Sequence, residues 1–210
     1  MSEDDALSPA EMLDLAARQQ RRVGAQRGAE VPLLLMGWGI AWAAGFLSLF
    51  AEASSRERSG PPSIGVVIAV AALFVGAVAL SGFVGARAGR GTRGTRAAAV
   101  TGIVYGNLWW VGIAAIALVG LGLRSAGLPA GLLWVLYPVL FTVYCGVMFV
   151  AGGLLWPAPP MIALGGWMLL VGVSGAFVAA PGHLLFLGVA GGGGLVAVAG
   201  WAWIWVRRSR

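Results

Sequence analysis

Residues 130–153 read AGLLWVLYPVLFTVYCGVMFVAGG, 24 positions without one charged side chain. A helix rises 1.5 Å per residue, so about 20 apolar residues cover the hydrocarbon layer of a bilayer. The run is continuously apolar and does not alternate, which predicts a membrane helix and not a barrel strand. Working outward, residues 31–50, 63–86, 97–121, 161–180 and 183–206 have the same character. The expected fold is therefore all-α: a polytopic integral membrane protein with six transmembrane helices over 31–206. It is flanked by a 1–30 tail carrying a short amphipathic helix and by a 207–210 tail.

Composition agrees. Of the 210 residues 59% are hydrophobic and 10% charged, whereas a soluble domain carries about a quarter charged residues. That excludes soluble enzymes, nucleic-acid binders and disordered chains. One cysteine, Cys145, and one histidine, His183, exclude an intramolecular disulfide, a cysteine zinc site and a histidine cluster within one chain. No metal, cofactor or catalytic residue is expected.

All 14 basic residues are Arg, and Gly occurs 34 times. This usage suits a GC-rich bacterial genome, and the expected location is a bacterial cytoplasmic membrane. Residues 1–30 begin with Glu3, Asp4 and Asp5 and show no cleavable signal, so the first span itself is expected to direct insertion. With the N-terminus inside, Arg18, Arg21, Arg22, Arg27, Arg87, Arg90, Arg93, Arg96, Arg207, Arg208 and Arg210 are cytoplasmic, and only Arg56, Arg58 and Arg124 lie outside. This asymmetry sets the orientation, and six spans return the C-terminus to the cytoplasm. Trp201, Trp203 and Trp205 then lie at the inner interface.

Ser8-Pro9-Ala10-Glu11 reads as a capping box opening a helix to Val23. Its early acids and late Arg residues complement the helix dipole, and Asp14 and Arg18 form an i,i+4 pair. Arg18 and Arg22 there, with Arg87, Arg90, Arg93 and Arg96 in the loop after span two, are candidate contacts for membrane lipid or for a cytosolic partner, an ATPase or a regulator. Gly89-Arg90-Gly91-Thr92-Arg93-Gly94 matches G-x-G-x-x-G, but a loop between two spans lacks the strand and helix that a dinucleotide site needs.

The candidate ligand-binding residues are Asn107, Trp110, Tyr137, Phe141, Tyr144 and Gly192. Asn107 is the one Asn of the chain and falls mid-span beside Trp109 and Trp110; it serves either an interhelical hydrogen bond or a cavity. Tyr137, Phe141, Tyr144 and Met148 share a helix face, and Pro138 frees the carbonyl of Trp134 from its helical donor. Gly191 to Gly194 break span six, either for close helix contact or to present backbone to a substrate. These features predict a cavity between spans three, four and six. Small-residue rows at Gly37-Ala41-Gly45, Ala77-Ser81-Gly85, Gly102-Gly106 and Gly188-Gly192 suggest close packing, and Gly102/Gly106 is the first choice for a homo-oligomer interface.

Gly172-Val173-Ser174-Gly175 resembles the G-x-S-G of rhomboid proteases, but His183 lies across a Pro181-Gly182 hairpin, roughly 10 Å or more away along the axis. The capped N-terminal helix, Gly37-Trp38-x-x-x-Trp42, the Pro181-Gly182 hairpin and the Gly191–Gly194 run together resemble small six-span bacterial proteins labelled only "membrane protein" or "transporter". A looser likeness is to type-2 ABC permease subunits. The glycine-rich 87–96 loop and the tight Pro181-Gly182 turn depart from that pattern. What these resemblances imply is a permease-like subunit for a hydrophobic or amphiphilic small molecule. The alternative is a membrane-bound scaffold or regulator that docks a cytosolic protein.

Overall fold

The computed structural model describes residues 8, 10–15, 30–55, 62–89, 95–156 and 158–208. Every regular element among them is helical. The main helices are α1 (Glu30–Ser55), α2 (Ile64–Gly89), α3 (Arg96–Ser125), α4 (Ala130–Leu155) and α5 (Pro159–Gly175). A short α6 (Gly182–Phe186) runs through a π-helical stretch, Leu187–Gly192, into α7 (Gly193–Arg208). Five helical stretches are long and apolar enough to cross a membrane: Glu30–Ser55, Ile64–Arg87, Arg96–Ser125, Ala130–Leu155 and Gly182–Ile204. The fifth expected span, 161–180, is shorter than expected, because its helix ends at Gly175 after 17 residues.

At the N-terminus, Ser8 N donates to Glu11 Oε2 at 2.8 Å and Glu11 N to Ser8 Oγ at 3.3 Å, and residues 10–15 are helical. This is the reciprocal capping expected from the sequence. The rest of the expected helix, with Arg18 and Arg22, lies outside the described residues, as do Arg90 and Arg93. Thr95 caps α3, accepting from Ala98 N at 3.2 Å.

The core sits where α1, α4, α5 and the π segment meet. Trp42, Met168, Leu187 and Leu195 are almost wholly enclosed there. Helices α4 and α5 are antiparallel and touch backbone to backbone: Gly146 faces Gly165, Gly153 faces Ile162 and Gly172 faces Val143. A Cβ on Gly165 would lie 2.6 Å from Val150 N, and one on Gly172 would lie 2.9 Å from Val143 N. Between helices in lipid there is no hydrophobic drive, so close approach of this kind carries the packing. Helices α2 and α3 are peripheral, and exposed Val75, Phe83, Ile103, Val111 and Leu118 cover their outer faces. Helices apolar on both sides with such exposed surface are built for a hydrocarbon solvent.

Candidate functional site

Pro138 lies inside α4 and has no N–H, so the carbonyl four residues earlier, Trp134, has no helical donor. His183 supplies one: its Nε2 is 3.1 Å from Trp134 O. Since a carbonyl only accepts, Nε2 carries a proton, and in the neutral ring Nδ1 keeps a lone pair. His183 is 2% exposed, and its Nδ1 is the one buried side-chain polar atom without a partner among the described residues.

His183 lies on the wall of a cavity of about 720 Å3, a size typical of small-molecule sites. Phe46 and Leu49 of α1, Val70 and Phe74 of α2, Trp134, Tyr137 and Phe141 of α4, and the Ala180–Leu184 turn line it. The aromatic rings hold one another in place. Phe141 stacks on Trp42 at 5.3 Å and 13°, and Phe74 meets Phe141 edge-on at 5.9 Å, the geometries that aromatic quadrupoles prefer. Glu52 also lines the cavity. The loop expected from residue 51 begins as helix instead, which puts Glu52 in the last turn of α1. Its two carboxylate oxygens accept from Ser63 N at 2.9 and 3.1 Å, tying the end of α1 to the start of α2. A smaller groove of about 370 Å3, lined only by Leu, Val and Ala, adjoins the cavity at Leu132 and Val135.

The cavity is thus not between spans three, four and six, as the sequence suggested. It lies between α1, α2, α4 and the start of span six, where Ala180 and Pro181 lead into α6, and α3 does not line it. Of the six residues expected to bind ligand, Tyr137 and Phe141 line it, and Asn107, Trp110, Tyr144 and Gly192 do not. Asn107 does not reach a neighbouring helix; its Nδ2 donates to Ile103 O of its own helix at 2.8 Å, and it and Trp110 are exposed.

Tyr144 is held by α3, its hydroxyl donating to Leu108 O. It is one of a set. Tyr137 donates to Ala117 O at 3.3 Å, and Tyr105 of α3 donates back to Met148 O at 2.7 Å. All three tyrosines of the chain therefore cross the α3/α4 seam. Each lies over a glycine that has no room for a Cβ: Tyr144 over Gly112, Tyr137 over Gly120, Tyr105 over Gly152.

The glycine run in span six has a similar role. Leu187–Gly192 is π-helical, the geometry in which carbonyls are displaced from ordinary α pairing. Two indoles meet it: Trp42 Nε1 donates to Leu187 O and Trp167 Nε1 to Ala190 O, both at 3.0 Å. A Cβ on Gly191 would lie 2.7 Å from Trp42 Nε1, and one on Gly194 would lie 2.5 Å from Trp167 Nε1. A Cβ on Gly192 would lie 2.9 Å from Ala43 N. The glycines seat the protein's own tryptophans and the α1 backbone, which is the close-contact reading of the run. Sequence reasoning missed the indole donors, although Gly37-Trp38-x-x-x-Trp42 and Gly166-Trp167 were the cue.

Arg87 and Arg96 are exposed at the α2 and α3 ends. Ser174 of the G-x-S-G segment is exposed, whereas His183 is enclosed with its Nε2 against Trp134 O. Among the described residues no group of His, Cys, Asp and Glu could hold a metal ion. No protein-family model, no curated protein and no solved structure matches the chain.

Proposed function

We propose that this chain is a six-span protein of a bacterial cytoplasmic membrane and a permease-like transport subunit that takes a hydrophobic or amphiphilic small molecule into the Phe46–Phe74–Phe141 cavity. The observation that carries the reading is the cavity itself, aromatic-walled and formed at one end of the bundle by α1, α2, α4 and the 180–184 turn. Its walls suit a hydrocarbon chain, and its polar groups are confined to a few positions, as in small-molecule sites generally. A solid bundle would have favoured the scaffold or regulator instead.

Helix α5 is the shortest crossing, its 17 residues rising about 26 Å, close to the lower limit for a span. With six spans the Arg bias puts both termini, Arg87 and Arg96 in the cytoplasm and the cavity at the outer face. The exposed arginines then serve anionic lipid or a cytosolic ATPase or regulator.

The test uses the full chain in lipid nanodiscs titrated with dodecanol by calorimetry, empty nanodiscs being the blank, and in liposomes assayed for flux of the same probe. The reading expects saturable binding that Val70→Trp, which fills the cavity from α2, weakens at least tenfold. A protein that neither binds nor moves the probe, alone or with a cytosolic ATPase, overturns it.

A further inference from the structure

We infer that the ligand of the cavity is a two-chain amphiphile, with one chain in the Phe46–Phe74–Phe141 cavity and the other in the apolar groove across Leu132 and Val135. The inference rests on the cavity being a ligand site, as above, and names the class of its occupant.

The groove is a product of helix length. Gly172 of α5 faces Val143 of α4, and α5 ends at Gly175. Antiparallel helices advance at the same rise per residue, so α5 stops short of Leu132, Val135 and Leu136. Their side of α4 is left open between Ala176, past the end of α5, and Leu123 and Leu128 at the α3–α4 connection. The wall there holds only Leu, Val and Ala side chains. It fits a hydrocarbon chain, and it offers a polar head no side-chain partner to offset desolvation.

The groove and the cavity share a wall. At 3.6 residues per turn, Trp134, Pro138 and Phe141 fall on one side of α4 and line the cavity, while Leu136 and Val139 fall on the adjoining side and line the groove. Leu132 and Val135 line both. Both spaces also reach the same end of α4, the cavity at Gly131 and Leu132 and the groove at Leu128 and Leu132. Two chains branching from one head at that end straddle Leu132 and Val135. A chain moving from lipid into an apolar groove gains little by the transfer, because the two surroundings are alike. The tether is what favours the ligand's own second chain over a passing lipid tail. A chain held in the cavity keeps its twin at high local concentration beside the groove. Occupancy of the groove is therefore coupled to occupancy of the cavity.

The test reads that coupling. Didodecanoylglycerol and monododecanoylglycerol, each with a mid-chain diazirine, are photolysed with the full chain in digitonin, a detergent without alkyl chains, and labelled residues are mapped by peptide mass spectrometry. The two-chain probe is expected to label the cavity at Phe46 and Phe141 and the groove at Leu123 and Leu136, both saturably and with the same half-saturating concentration. The one-chain probe is expected to label the cavity and to need about tenfold more. Ala176→Trp, which fills the groove from beyond α5, is expected to remove the groove labels and to bring the two-chain probe to the one-chain concentration. Val70→Trp, which fills the cavity, is expected to remove the groove labels as well, although Val70 does not line the groove. Groove labels that survive Val70→Trp belong to an untethered chain and overturn the inference. Equal half-saturating concentrations of the two probes on the wild type also overturn it. In both cases saturable cavity labelling by the one-chain probe leaves the cavity reading standing. No saturable labelling of the cavity by either probe overturns both.

Discussion

His183 Nε2 donates to the carbonyl oxygen of Trp134 at 3.1 Å, the oxygen that Pro138 leaves without a helical donor. The start of span six thereby satisfies a break in span four, and the Ala180–Leu184 turn is held against the cavity wall. A double-mutant cycle tests the relationship. His183→Phe alone is expected to cost about 1–3 kcal/mol, because it orphans a buried carbonyl. In a Pro138→Ala background the helical N–H of residue 138 takes that carbonyl, and the same substitution is expected to cost about 1 kcal/mol less. Reversible unfolding in detergent reads both. Strictly additive costs contradict the pairing.

The α3/α4 seam gives a sharper contrast among glycines. Gly112→Ala and Gly120→Ala push a methyl into the rings of Tyr144 and Tyr137 and are expected to destabilise by about 1–3 kcal/mol. Within the single chain Gly102→Ala and Gly106→Ala meet nothing within 4 Å, and in monomeric protein they are expected to be neutral or slightly stabilising through helix propensity. Tyr144→Phe is expected to cost about 0.6 kcal/mol, the usual value of an interhelical hydrogen bond in a membrane. Equal melting shifts for Gly102→Ala and Gly112→Ala would sink the assignment.

Within the run of four glycines the same logic separates neighbours. Gly193 faces open space, whereas Gly191 and Gly194 seat Trp42 and Trp167. Gly193→Ala is expected to raise stability modestly, and Gly191→Ala to displace the Trp42 indole and its bond to Leu187 O. Tryptophan emission spectra and melting curves of the two variants check this. A Gly191→Ala protein that matches wild type in both contradicts it.

Gly102 and Gly106 leave an open stripe on α3, and we propose that a second copy covers it in a homodimer or larger assembly. Light scattering of wild type and of the Gly102→Leu/Gly106→Leu variant in detergent and nanodiscs tests this. The expected outcome is loss of the assembly in the variant. A wild type that is strictly monomeric in both media ends the idea.

The capping box carries the chain's pH prediction. Hydrogen bonds with Ser8 hold the Glu11 carboxyl below its ordinary range, so its ionised form is favoured in the helix. A depressed pKa gives stability that is present above the unfolded value and lost as pH falls through the folded one. The protection of the amides at residues 10–15, relative to their intrinsic exchange rates, should therefore fall on acidification below the ordinary carboxylate range. In Glu11→Gln it should be far less pH-dependent. Identical pH profiles for the two proteins contradict the pairing.

Helices long and apolar enough for a membrane, the helical class and the orphaned Trp134 carbonyl were legible in the sequence, because charge-free length and a proline's missing N–H act locally. The partner of that carbonyl was not. His183 is 49 residues away from Trp134, and no local period links them. Glycine spacing misled for a related reason. In lipid a helix is apolar all round, so the sequence does not mark which face meets a neighbour. Gly102 and Gly106 have the clean four-residue step but face outward, whereas Gly112 and Gly120 lie eight residues apart and take the tyrosines. The cavity was misplaced because Glu52 was assigned to a loop and Tyr144 to a ligand path. The helix runs on to Ser55, more than a turn past the apolar stretch that ends at Phe50, and the tyrosine hydroxyl is used by Leu108 O.

Photolabelling tests the central claim most directly. A dodecanol carrying a mid-chain diazirine is irradiated with the full chain in nanodiscs, and the labelled residues are mapped by peptide mass spectrometry. The account predicts saturable labelling at Phe46, Leu49, Phe74 and Phe141 that excess dodecanol displaces and that Val70→Trp removes. Labelling confined to outward residues of α2 and α3 such as Val75, Ile103 and Val111, and unaffected by competitor, would contradict it.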